Sequence, residues 1–117
     1  MLEQEDTLET IAMTMILHAG NSRAFLTEAL ELIETADFEK AKLKLQEAKK
    51  EIVFSHKAQT NLIQAEAGGA KQETSLLFAH AQDTMMTVKS ELNIANRLIK
   101  IFAVIHERLL KLENNQD

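Results

Sequence analysis

Along the first third of the chain, Leu8, Ile11, Met15, Ser22, Leu26, Ala29 and Ile33 recur at three- and four-residue steps, with one seven-residue step. That is the period of one face of an α-helix. Asp6 followed by Glu9 has the form of an N-cap and its capping-box partner, and the pattern fades at Thr35-Ala36. The spacing therefore predicts a helix over about 7–35. Asp37 offers a second cap, and Phe38, Ala41, Leu45, Ala48, Ile52, Ser55, Gln59 and Leu62 carry another stripe up to Gly68-Gly69. This predicts a helix over about 38–67. Thr74 and Ser75 can cap a third segment, in which Leu76, His80, Asp83, Thr87, Ile94, Leu98, Ile101, Ile105, Leu109 and Leu112 run at helical spacing. The third helix is expected over about 75–113.

Helices of about 29, 30 and 39 residues with short connections lie antiparallel, which gives an all-α fold, an up-down-up three-helix bundle of coiled-coil type. At about 1.5 Å per residue, the third overhangs its neighbours by about 12–15 Å. The overhang carries Ile101, Phe102, Ile105, Leu109 and Leu112, and Ala79, Met86 and Ala95 widen the apolar surface of the same helix. Three helices cannot hide that much, so an oligomer is expected.

The chain has 117 residues, without linker, repeat or low-complexity segment, and reads as a single domain over 1–117. Proline, tyrosine and tryptophan are absent and glycine occurs three times, which argues against a strand-rich fold. The lack of cysteine excludes disulfides, thiolate metal sites and a cysteine nucleophile. A net charge of −5 is unfavourable for binding a phosphate backbone, so nucleic acid is not an expected partner. The acidic start MLEQEDTLET lacks the basic region of an export signal, and charges interrupt every apolar run before the roughly 18 residues of a membrane span. A cytoplasmic location is expected.

No phosphate-binding glycine loop, nucleophile elbow or His-Glu-x-x-His occurs. A carboxylate-bridged di-iron bundle needs Glu-x-x-His pairs, but Met15, Val53, Leu77 and Ala103 stand three residues before the four histidines. What remains is polar material on the helical stripes. Ser55 and Gln59, flanked by His56 and Thr60, interrupt the second; His80 and Asp83, flanked by Gln82 and Thr84, interrupt the third. An antiparallel turn sets residues near 59–62 opposite those near 80–83, so the two clusters meet at one depth. Burying such groups unpaired costs about 1–3 kcal/mol each. The plain reading of a helical histidine three residues before an aspartate is a local hydrogen bond or a solvated edge. His18 and His106 take that reading, while Lys49-Lys50 and Glu3 to Asp6 read as solvated surface.

Residues 75–87, Ser-Leu-Leu-Phe-Ala-His-Ala-Gln-Asp-Thr-Met-Met-Thr, change the picture. They resemble the active-site stretch of the enzyme IIA component of the lactose/cellobiose (N,N'-diacetylchitobiose) family of the bacterial sugar phosphotransferase system, His-Gly/Ala-Gln-Asp-His-Leu-Met-Thr. Ala19-Gly20-Asn21-Ser22-Arg23 is similar to that family's Gly-x-Ala-Arg segment, Ala36-Asp37-Phe38 to its Gly-Asp-Phe turn, and Ser55-His56-Lys57-Ala58-Gln59-Thr60 to its Ala-His-x-x-Gln-Thr stretch. The resemblance implies a phosphoryl carrier. His80 would accept a phosphoryl group from the phosphocarrier protein HPr and pass it to a cysteine of the IIB component, for uptake of a β-linked disaccharide through a membrane IIC component. It also implies a homotrimer, with Asp83 of each chain meeting at the threefold axis around a structural divalent metal, expected to be Mg²⁺.

The residue types suit this chemistry. A neutral imidazole offers a lone pair to phosphorus without a separate base, and phosphoryl transfer depends on positioning and on neutralising the oxygens. Gln82, Thr84, Gln59, Thr60 and His56 are the candidate phosphoryl environment, and Leu76, Leu77, Phe78 and Ala79 a wall against hydrolysis. Thr84 departs from the family, which has a second histidine there, and Ala36 stands where the family has glycine. Ala81 leans the sugar class towards the cellobiose/chitobiose branch. The competing expectation is a non-catalytic helical interaction or regulatory module, with His80 and Asp83 as a polar register device.

Overall fold

The computed structural model of the chain describes residues 7–69 and 75–115. Three helices account for nearly all of them: α1 (Leu8–Glu34), α2 (Phe38–Ala67) and α3 (Leu76–Asn114), running up, down and up. Each helix begins where a side-chain oxygen accepts a first-turn N–H. Thr7 accepts from the Thr10 amide at 3.1 Å, Asp37 from Lys40 at 3.2 Å and Ser75 from Phe78 at 3.1 Å. Thr7 thus takes the capping role expected of Asp6, which lies outside the described residues, as does Thr74.

The α1–α2 turn closes within three residues. The Ala36 amide donates to the Ile33 carbonyl and the Asp37 amide to the Leu32 carbonyl, both at 2.9 Å. This is the Schellman arrangement, which needs a left-handed residue at its centre. Ala36 fills that position with φ 61°.

On α1 and α2 the buried stripes match the sequence reading: Met15, Ser22, Leu26 and Ala29 on one, Ala41, Leu45, Ala48, Ile52, Ser55 and Leu62 on the other, with Ala12 and Ala19 added. The Ser22 hydroxyl donates to the Ala48 carbonyl at 2.7 Å, and the Ser55 hydroxyl to the Met15 carbonyl at 3.0 Å. These two bonds satisfy the buried polar atoms and set 22 level with 48 and 15 level with 55.

The stripe expected on α3 is not the one buried. Ala81, Met85, Val88, Leu92, Ala95 and Ile99 face α1 and α2. Leu76, His80, Asp83, Thr87, Ile94, Ile101, Ile105, Leu109 and Leu112 are exposed, with Leu98 half-buried. The helix is apolar on two sides, and the side whose alanines permit close approach is the one turned inwards. At the far end the His106 ring lies 5.5 Å from that of Phe38. The eight residues from there to Asn114 extend about 12 Å past the α1–α2 turn, as expected of the overhang. No helix among the described residues is long and apolar enough to cross a membrane.

Ala36 has a Cβ where the turn favours none, at a cost of about 1 kcal/mol. Ala36→Gly should therefore raise the thermal midpoint by roughly 4 °C, against the usual effect of adding a glycine. Calorimetric unfolding of the two proteins checks this.

Candidate functional site

The first turns of α3 are held from below. Ser75 caps the helix, Leu77 and Phe78 pack against the core, and Ala81 and Met85 are fully buried. With one side of the helix fixed, the directions of His80, Gln82, Asp83 and Thr84 follow. His80 is exposed and its ring makes no hydrogen bond or ion pair among the described residues. Its carbonyl accepts the Thr84 hydroxyl at 2.9 Å. Thr84 has therefore given its only hydroxyl proton to its own helix and is not a donor to a group on His80 in this rotamer. The expected apolar wall is only half formed, since Leu77 and Phe78 are partly buried while Leu76 and Ala79 are exposed.

The register carries residues 80–84 to the level of about 60–64 on α2, given the Phe38–His106 contact and equal steps along both helices. Common depth does not bring the two clusters together. His80, Glu91 and Leu98 share one flank of α3 at 100° per residue, and that flank faces α1, where Glu91 meets Arg23 and Leu98 lines a groove with Leu26 and Leu30. Gln82, Lys89 and Asn93 share the other flank, which faces Ile52 and Val53 of α2. Thr60 continues the line of Val53, Lys49 and Lys42 on α2 and so borders this second flank. Gln59 continues the buried stripe of Ile52 and Ser55 and is half-buried. The ring of His56 lies 3.5 Å from the Thr60 hydroxyl, at the limit of a hydrogen bond. Within one chain, then, His80 stands apart from Gln82, Gln59, Thr60 and His56.

Asp83 sits opposite Leu92 around α3, directly away from the core, on a line with Ser90, Ile94 and Ile101. Its carboxylate is a hard oxygen donor of the kind Mg²⁺ takes. Among the described residues no three His, Cys, Asp or Glu side chains gather around a metal-sized space. One chain offers a single ligand, so the residues fit such an ion only where several copies bring Asp83 together.

His18 does not follow its plain reading. Its Nδ1 lies 2.8 Å from Glu51 Oε1, which also accepts from Asn21 at 3.1 Å, and its ring lies 5.1 Å from that of Phe54. Only the α1–α2 register, set by the buried serines, brings these residues to one level, so the sequence alone gave no signal. His106, at the other end, packs on Phe38.

Fold and site together define an all-α subunit whose candidate chemistry rests on one surface histidine beside an outward carboxylate. The chain belongs to the family of lactose/cellobiose-specific IIA subunits of the sugar phosphotransferase system, whose model matches residues 10–103. It is 40% identical over 103 residues to the lichenan-specific phosphotransferase enzyme IIA component of Bacillus subtilis (strain 168), covering 88% of this chain and 94% of that protein. It is 32% identical over 106 residues to the N,N'-diacetylchitobiose-specific EIIA component of Escherichia coli (strain K12), covering 91% and 88%. The crystal structure of the cellobiose-specific enzyme IIA from Bacillus anthracis superposes with a TM-score of 0.82 at 35% identity, covering 89% of this chain and 95% of that one.

The hydrogen bond from His18, and then that from Asn21, hold the Glu51 carboxyl below its ordinary value of 4.5, against the opposing effect of burial. A carboxyl lowered by folding adds stability that is present above its unfolded value and is lost as pH falls through the folded one. Glu51→Gln should therefore lower the thermal midpoint at neutral pH, with the difference from wild type closing below pH 4.5. Thermal unfolding across that range reads both parts.

Proposed function

We propose that the protein is the phosphoryl carrier of a sugar phosphotransferase system and that His80 is the residue that carries the group. The observation that supports this most is the placement of His80. It is exposed on a helix fixed from its inner side, with no side-chain partner among the described residues to occupy either ring nitrogen. A ring nitrogen attacks the phosphorus of phosphohistidine on HPr. A new N–P bond forms as the donor's N–P bond breaks, and the donor imidazole leaves with the bonding pair. In the second half, a cysteine thiolate of the IIB component attacks the same phosphorus and the His80 imidazole leaves. In-line approach from two proteins in turn needs an accessible nucleophile on a rigid support, which a surface position on α3 provides.

The assembly belongs to this reading. Asp83 heads an outward line that continues through Ile94, Ile101, Ile105 and Leu112, all exposed, and three copies meeting along it would bury the apolar part and bring three carboxylates together. A Mg²⁺ ion held by the three Asp83 side chains would offset their repulsion. Around such an axis the His80 flank of one chain adjoins the α2 flank of the next, which bears Gln82 and Thr60. Those residues would then serve the neighbour's histidine rather than their own. The protein works in the cytoplasm, delivering phosphoryl groups to a IIB–IIC transporter. The names of its relatives favour a β-linked sugar of the lichenan, cellobiose, N,N'-diacetylchitobiose or lactose kind.

Intact-protein mass spectrometry at neutral to alkaline pH, after incubation with phosphoenolpyruvate, enzyme I and HPr, tests the carrier step. Wild type should gain about 80 Da, one phosphoryl group, in an acid-labile form, and His80→Ala should gain nothing. No added mass in the presence of phosphorylated HPr would favour the interaction-module reading. Asp83→Leu tests the axis. It should remain trimeric by light scattering, because packed hydrophobes in place of clustered like charges are commonly neutral or stabilising; a monomer would overturn the structural account of Asp83.

A further inference from the structure

The segment matched by the family ends at residue 103, while α3 continues to Asn114. Beyond His106, which packs on Phe38 at the α1–α2 turn, neither α1 nor α2 accompanies the helix. The end of α3 stays apolar all the same, with Phe102, Ile105, Leu109, Leu110 and Leu112 45–61% exposed. Leu98, Phe102, Ile105, Leu109 and Leu112 follow one another at alternating steps of four and three, the spacing of a coiled-coil seam. At 100° per residue, Arg108 and Glu113 stand on opposite edges of this seam. Both are exposed, and neither is in an ion pair among the described residues. Ile105 and Leu112 also belong to the outward line that starts at Asp83, so the seam carries that line past the end of α1 and α2.

We infer that the end of α3 forms a parallel coiled coil with the same segment of the other copies, and that this clamp holds the assembly together without the metal at Asp83. The inference rests on the threefold assembly proposed above and not on the role of His80. Charge fixes the direction of pairing. With parallel helices the two edges face each other five residues apart, which sets Arg108 of one copy against Glu113 of the next. With antiparallel helices the Arg108 edge meets itself, and Ile101 and Asn115, the other residues on it, offer no acid. An anionic surface is a poorer match, since Glu107, Arg108, Lys111 and Glu113 leave the overhang with two charges of each sign. Three Asp83 carboxylates repel one another without a cation, and an apolar contact at the opposite end of the line offsets that repulsion when no metal is bound.

The test follows dissociation of the full chain on dilution by analytical ultracentrifugation, with and without EDTA. Wild type should remain trimeric in both. Leu109→Asp should raise the concentration at which the trimer falls apart by about a hundredfold or more. Arg108→Glu or Glu113→Arg should raise it by about tenfold, each change being repeated three times around the axis. Combining the two reversals should restore wild-type behaviour, and circular dichroism above the dissociation range should find the fold of every variant unchanged. A monomeric wild type overturns the threefold assembly and the clamp together, while phosphorylation of His80 is read separately. A trimer indifferent to Leu109→Asp and to the single reversals, or one that the double reversal weakens further, overturns the clamp and leaves the assembly standing. So does a wild-type trimer that EDTA dissociates, which would assign the cohesion to Asp83 and its metal.

Discussion

Ser22 and Ser55 each send a hydroxyl proton across the α1–α2 seam to a backbone carbonyl, and these bonds form only if the two helices lie close enough that little else fits between them. Alanine fills the remaining space, with Ala12, Ala19, Ala29, Ala41 and Ala48 fully buried. Among the side chains with no exposed surface, Met15, Met85, Ile99 and Val88 are the bulkiest. A seam of this kind packs tightly but hides little apolar area per residue. The larger hydrophobes are displaced outwards, most of all on α3, where Ile94, Ile101, Phe102, Val104, Ile105 and Leu109 stand 45–57% exposed. The apolar surface left exposed on α3 follows from the closeness of the first two helices.

The same feature decides how much could be read in advance. On α1 and α2 the stripes were legible because one side of each is clearly more apolar, and the serines lay in phase with it. Their extents were legible too, from the fading pattern at Thr35-Ala36, the cap at Asp37 and the Gly68-Gly69 pair. On α3 two stripes compete. The outer one carries the large aliphatics and so dominates a hydrophobic count, while the inner one relies on Ala81 and Ala95, whose weight in such a count is small and whose value lies in close approach. The stripe that dominates the sequence pattern is therefore the outer one, and His80 and Asp83, which lie on it, face away from the core. Depth was recoverable from the antiparallel turn, but the side of the helix was not. That is why Gln59 and Thr60, expected beside His80, lie elsewhere, Thr60 along the opposite flank and Gln59 on the inner stripe of α2. The His18–Glu51 pair was invisible for a related reason, since it exists only once the serine bonds fix which residues of α1 and α2 are level.

An exposed histidine suits a group passed between proteins, because both the giving and the receiving protein must bring an atom in line with phosphorus. It also leaves the N–P bond open to water. Within one chain only Leu77 and Phe78 of the expected wall are partly buried, and the Thr84 hydroxyl is tied to the His80 carbonyl. Protection of the bond and neutralisation of its oxygens must then come from outside the chain. In the proposed assembly a neighbouring copy would supply them continuously, an incoming partner only during transfer. The family's second histidine would stand where Thr84 turns back into its own helix, so the proposed site depends more on its neighbours than on this position.

Both stripes of α3 keep the period of a straight helix. The inner one, from Ala81 to Ile99, and the outer one, from Asp83 to Leu112, each advance at about 3.6 residues per turn. They remain on opposite sides over the whole length instead of winding into each other, so the helix can pack on α1 and α2 and present an unbroken line to other copies. The polar end of that line is level with His80 and the apolar end projects past the α1–α2 turn. In the proposed trimer, association along it would draw its energy from the region between Ile94 and Leu112, a few turns from the candidate chemistry. In that arrangement the carboxylates at Asp83 could be brought close at the polar end, because the contact holding the copies together would lie elsewhere.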